Sequence, residues 1–232
     1  MKQIEKRKYI THNKTLNEEM KYLGFKRKGG DWFVKQFKDT EQKIGFSHAT
    51  YSEKNVKYYA IHIHLIYPKI QEIIDALGIL VFSGFGMEIG YLMPENRYYE
   101  WRIAESDSDS YVEKTVEDML SKIREYVIPF INKYSSIHHI LKGIENHELR
   151  FISNEKYLIP ILHYIEGDRD YAIQYIRQSF KKMEKFIPND DVNILQDRYK
   201  EKPVSFRENK EYGVYKTFLD NFEKLVNLER GT

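Results

Sequence analysis

The chain has 232 residues, enough for one large domain or two small ones, and 41% of them are hydrophobic. With 19 Tyr, 13 Phe and 2 Trp the core must be built largely from rings, a composition that excludes wholesale disorder. The net charge of +2 names no class of partner, and the absence of cysteine excludes disulfides and thiol nucleophiles. The first residues lack an apolar stretch behind their positive charges. The run Ile79, Leu80, Val81, Phe82 is strand-sized rather than membrane-sized, and a cytoplasmic protein with no membrane association is expected.

Residues 1–28 hold nine Lys and Arg against three Glu, so the remainder carries a net −4. A basic segment of this kind could attract a phosphate backbone. Thr15-Leu16-Asn17-Glu18 fits a capping box ahead of the apolar stripe Leu16, Met20, Leu23, with Gly24 as the stop. Strands are predicted over 25–28, 31–38 and 42–51, divided by Gly29-Gly30 and Asp39-Thr40. A fourth strand, 56–67, alternates Tyr59, Ile61, Ile63, Leu65 on one face with Ala60, His62, His64, Ile66 on the other. Pro68 opens a helix closed by Gly78, and strands are predicted again at 79–82, 87–93 and 97–103.

The second half reads as helical. Ser108 or Ser110 caps a long helix through Tyr134, and Ser135 or Ser136 begins another bearing Ile137, Ile140, Leu141 and Ile144. Further helices are predicted at 157–164, despite Pro160, at 168–186, and around Tyr215, Phe218, Phe222 and Val226. Strands first and helices later predict an α+β fold: an antiparallel sheet packed by helices over 1–140, followed by a mainly helical C-terminal domain, 141–232.

Several constellations invite a chemical reading. His62 and His64, two apart on a strand, project to one side and would make half of a divalent-metal site, with His48 on the preceding strand as a third ligand. Asp31 with Glu41-Gln42-Lys43, and Asp190 and Asp191 with Glu208-Asn209-Lys210, match the acid and E-x-K arrangement of metal-dependent nucleases. Trp32, Tyr98, Tyr99 and Trp101 are candidates for an aromatic binding groove. Other patterns fail. His138-His139 diverge by about 100° on a helix, and His147-Glu148 lacks the second histidine of a metalloprotease motif. Gly84, Gly86 and Gly90 miss the dinucleotide fingerprint by one residue, and Ser106 to Ser110 reads as a helix cap.

Leu23-Gly24-Phe25-Lys26-Arg27-Lys28, Trp32-Phe33, Ala60-Ile61-His62-Ile63-His64-Leu65 with Tyr67-Pro68, Tyr98-Tyr99-Glu100-Trp101-Arg102 and Val127-Ile128-Pro129-Phe130 together resemble a bacterial family known as domain of unknown function 4304. The resemblance spans roughly residues 10–140 and implies a fold, with no catalytic residues and no cofactor attached to it. The sequence therefore points first to a non-catalytic protein-binding module without a cofactor, of which an immunity-type protein is one form. A metal-dependent hydrolase or nuclease, and nucleic-acid binding through residues 1–28, are the alternatives.

Overall fold

In a computed structural model, residues 10–53, 55–149, 155–184 and 204–230 are described. The protein is α+β, with a six-stranded antiparallel sheet and a helical C-terminal part. It divides into two compact units, one of residues 1–68 with 84–151 and one of residues 69–83 with 152–232.

The first unit holds the sheet. Strands β1 (Lys26–Arg27), β2 (Trp32–Phe37), β3 (Thr40–Ala49), β4 (Val56–Ile66) and β5 (Gly84–Glu88) lie in chain order, and β6 (Trp101–Ala104) pairs with β4 as well. Strand β4 is long enough to serve two neighbours end to end. Its residues 62–66 pair with β5 and its residues 56–59 with β6, while β3 occupies its other edge. Gly29 and Gly30, both at positive φ (57° and 51°), make the turn into β2, where a side chain would be strained. The β2–β3 turn is held by a later part of the chain. Asp39 donates its amide to the Ser135 carbonyl (3.2 Å), and its carboxylate accepts the amide of Ile137 (3.2 Å).

Helix α1 (Lys14–Tyr22) is capped by Asn13, whose side-chain oxygen accepts the Leu16 amide at 3.0 Å. Thr15, expected to cap it, lies inside the helix, because the chain turns helical one residue earlier. Helix α3 (Asp109–Lys122) starts at the Ser108 cap and runs through a π-helical turn (Ile123–Val127) into α4 (Ile128–Lys133). This long element covers one face of the sheet. Gln42 donates to the Ile131 carbonyl (3.1 Å), Tyr67 to that of Tyr134 (2.6 Å), and the Trp101 indole to Asp118 (2.7 Å). The covered face carries Phe33, Ile44, Phe46, Tyr59, Ile61, Ile63 and Leu65, all at most 2% exposed. Burying one such side chain contributes roughly 1.5–3 kcal/mol, so this layer dominates the unit's stability. Helix α5 (Ile137–Glu145), capped by Ser136, belongs to the same unit and places the division after residue 151, beyond the expected residue 140.

Two expected strands differ. Residues 79–82 form no strand, and Leu80 is fully exposed. The strand expected at 87–93 begins instead at Gly84 and ends at Glu88, followed by a 3-10 turn (Ile89–Tyr91). Glycine is required at the start, since a Cβ on Gly84 would lie 2.1 Å from the Leu65 carbonyl oxygen.

The second unit contains α2 (Pro68–Leu77), α6 (Glu155–Ile165), α7 (Arg169–Glu184) and α8 (Val204–Arg230). Its core is aromatic, with Tyr157 against Tyr215 and Phe218 (5.3 and 5.1 Å between centroids) and Tyr164 against Phe222 (5.5 Å). Pro160 inside α6 has no amide to give the carbonyl four residues back, which is that of Lys156. The buried Tyr215 hydroxyl donates to that same carbonyl at 3.1 Å and replaces the missing bond. Asn221 of α8 likewise donates to the terminal carbonyl of α2, Leu77, at 2.9 Å. No helix among the described residues is long and apolar enough to cross a membrane.

Candidate functional site

The second face of the sheet has a different chemistry, fixed by strand alternation. Pairing sets Trp32, Gly45, His62 and Glu88 side by side across β2, β3, β4 and β5. The next row on that face is Val34, Lys43, His64 and Gly86. Within each row the neighbours stand about 5 Å apart, close enough for their side chains to interact.

Glycine in each row makes room for a ring. A Cβ on Gly45 would sit 2.6 Å from the Trp32 indole, and one on Gly86 would sit 2.9 Å from the His64 imidazole. Both rings therefore lie low across the sheet and meet each other, with centroids 4.9 Å apart and planes tilted by 42°. Trp32 and His64 remain partly exposed.

Charges surround this pair. Lys43 contacts Glu41 at 2.8 Å and Lys28 approaches the same carboxylate at 3.5 Å. The hydrogen bond from Lys43 holds the Glu41 carboxyl below its ordinary value, against a smaller opposing effect of burial. The His64 imidazole is also held below its ordinary value, first by burial and then by repulsion from neighbouring His62, whenever that ring is protonated, and from Lys43. Neutral His64 beside Trp32 is thus the form present near neutral pH.

His62 links two further groups. Its Nε2 lies 2.5 Å from the Ser47 hydroxyl, and its Nδ1 lies 3.8 Å from Glu88 Oε1. Ser47 is exposed, whereas Glu88 and His62 are partly covered, with side chains 26% and 28% exposed. The second carboxylate oxygen of Glu88 is buried and has no hydrogen-bond partner among the described residues.

The expected metal trio does not converge. His62 and His64 share a face, but β3 turns His48 to the other one, opposite Tyr59, where the two rings stand 5.7 Å apart. The cause is parity. Gly45 faces the same way as His62, so Ser47 follows it and His48 cannot. Among the described residues no group of three His, Asp or Glu is placed to hold a metal ion.

The aromatic quartet is also split. Trp32 is on the second face, while Trp101 stands opposite Tyr59 on the covered face, 6% exposed and bonded to Asp118. Tyr99 packs edge-on against Trp101 at 4.8 Å, and Tyr98 donates to Glu100 at 2.9 Å beside Tyr51. No single groove is lined by all four.

The nuclease pattern is separated along the strands. Glu41 stands opposite Gln36, five residues from Asp31, a distance of roughly 16 Å at strand rise. Asp31 is occupied by the Thr11 hydroxyl at 2.7 Å. Asp190 and Asp191 lie outside the described residues, as do the side chains of Glu208, Asn209 and Lys210. Of the basic N-terminal segment, residues 1–9 lie outside them too; in the rest, Lys14 pairs with Glu18 (3.7 Å) and Lys28 with Glu41.

Ser47, Glu88, Gly45 and Gly86 are the members of this face that sequence reasoning missed. Their only local signal is the spacing of two in Gly45-x-Ser47 and Gly86-x-Glu88, which places each pair on one side of a strand. No family model matches this chain, and neither the curated proteins nor the solved structures contain a match to it.

Proposed function

We propose that the chain is a protein-binding module whose recognition surface is the second face of the sheet, centred on Trp32 and His64. The supporting observation is the pair of glycines, Gly45 and Gly86, that let two partly exposed rings come close against the backbone. Such a pair presents rigid amphipathic area at low conformational cost, the property that enriches aromatic residues at protein interfaces. Lys43 and Glu41 at its edge supply charges of both signs for orientation. An immunity-type protein that covers a toxin is one form of this reading, and the likeness of residues 10–140 to the uncharacterised bacterial family belongs to the same proposal, as does a cytoplasmic location.

A photo-crosslinking residue at Val34, in the row that carries His64, tests the surface directly. In native lysate it is expected to give one discrete adduct that excess unmodified protein suppresses and a Trp32→Ala competitor does not. The same residue placed at Tyr22, 86% exposed at the end of α1, is the control. Equal adducts from both positions, or none from Val34, would remove this face as the recognition surface.

A further inference from the structure

Ser47, His62 and Glu88 form a chain of hydroxyl, imidazole and carboxylate across three adjacent strands, β3, β4 and β5. We infer that Ser47 is a nucleophile, activated by His62 as general base, toward acyl and phosphonyl groups that carry a good leaving group. This goes beyond the binding reading and does not rest on it.

The order of the three groups is what such chemistry requires. An imidazole can take a proton from a hydroxyl only if the facing nitrogen holds its lone pair, so the other nitrogen must carry the hydrogen. Glu88 Oε1 lies on the Nδ1 side of His62 at 3.8 Å, beyond hydrogen-bond length, and its negative charge there favours the tautomer with hydrogen on Nδ1. That leaves Nε2 as the acceptor facing the Ser47 hydroxyl at 2.5 Å. A nucleophile, a base within hydrogen-bond reach and a third group orienting the base is the general signature of an activated hydroxyl. When the base becomes cationic, the carboxylate at its far side stabilises it, as the anionic member of such a chain must.

Two further observations favour reaction over a resting surface contact. Ser47 is exposed, so an incoming electrophile can reach its oxygen. Glu88 keeps one buried carboxylate oxygen without a hydrogen-bond partner among the described residues, an arrangement that costs free energy and calls for an explanation such as a catalytic role. The strands fix the spacing, since His62 stands directly opposite Glu88 and diagonal to Ser47 in the ladder.

The step balances without an added reagent. With an aryl or thioester, the Ser47 oxygen forms a bond to the acyl carbon, the carbon–oxygen or carbon–sulfur bond breaks, and the leaving group departs with its electron pair. The hydroxyl proton passes to His62 Nε2. With a fluorophosphonate, the oxygen–phosphorus bond forms, the phosphorus–fluorine bond breaks and fluoride leaves.

A fluorophosphonate reporter on the folded full-length chain reads this out. One label per chain is expected, mapped by peptide mass spectrometry to Ser47 and absent from Ser47→Ala. The labelling rate should fall by about 100-fold in His62→Ala, the lower end of what a positioned base supplies. It should fall by about 10-fold or more in Glu88→Gln, which removes the charge that orients the base. Near-ultraviolet circular dichroism confirms that each variant retains its tertiary packing, and His62→Gln replaces His62→Ala if the latter does not fold. Labelling equal in wild type and both folded variants, labelling spread over other serines, or no labelling of wild type would each overturn the assignment.

Discussion

The two faces of the sheet use the same strands for opposite ends. On the covered face Phe33, Ile44, Phe46, Ile61, Ile63 and Leu65 are almost fully buried beneath the long helix formed by α3 and α4. On the other face Trp32, Lys43, His62, His64 and Glu88 keep part of their surface in solvent. Alternation alone assigns each residue to its face, so a single strand such as β4 contributes both to the core and to the candidate site. The lesson is one of division of labour. Rigidity is generated on one side by apolar burial, and the other side is free to hold polar groups at fixed spacing without carrying the fold.

That contrast is broken most directly by truncation. Phe46→Ala is expected to destabilise the protein by roughly 3–5 kcal/mol, the cost of lost transfer energy plus the cavity it leaves. Lys43→Ala, three residues earlier on the same strand and on the other face, should change stability by no more than about 0.5 kcal/mol. Urea denaturation of both variants measures the difference, and similar losses would mean that the second face also carries the fold.

Gly45→Val asks whether the second face is pre-formed. A branched side chain there would displace the Trp32 ring, which lies 2.6 Å from where its Cβ would be, and flanking strands cannot yield. A loss of about 1–3 kcal/mol is expected, as for overpacking elsewhere. Near-ultraviolet circular dichroism should change with it, because Trp32 leaves His64. An unchanged spectrum and stability would show that the ring has other places to go.

The two tryptophans give a matched pair with a smaller effect. Trp101→Phe removes the 2.7 Å hydrogen bond to Asp118 on the covered face and should cost about 1–2 kcal/mol. Trp32→Phe keeps an aromatic ring over Gly45 and should cost less than about 0.5 kcal/mol. Equal costs would erase the distinction between the faces.

How much of this could be read beforehand follows from whether the signal is local. The alternation Tyr59, Ile61, Ile63, Leu65 against His62 and His64 is carried by one strand, and it gives the strand and its two faces correctly. Gly78 and Ser108 mark the ends of helices by the same local logic. The meeting of Ser47 with His62 and Glu88 is set by pairing register among three strands, which no single segment encodes. For the same reason His48 could be drawn toward His62, although parity sends it to the other face. The apolar run 79–82 misleads in another way. Its composition suits a strand, but the strand that pairs with β4 is the glycine-bearing 84–88, since only glycine tolerates the approach to Leu65. The boundary expected at residue 140 falls inside α5, and contacts from Asp39 to Ser135 and Ile137 tie that helix to the first unit.

The smallest expected effect concerns protons on the second face. Burial, with repulsion from Lys43 and from His62 whenever that ring is protonated, holds His64 below the ordinary histidine value of 6.5 in the folded protein. Between that depressed value and about 6.5 the unfolded chain binds more protons than the folded one, so stability falls as pH drops. The contribution is complete above about pH 6.5, is lost progressively below it, and levels off once the folded imidazole is itself protonated. His64→Phe keeps a ring beside Trp32 and removes the titrating group. Urea midpoints measured from about pH 7.5 to about pH 5.5 should decline more for the wild type than for His64→Phe. Parallel declines would mean that His64 gains its proton as readily as an exposed histidine, and the low-lying, desolvated ring pair would no longer describe this face.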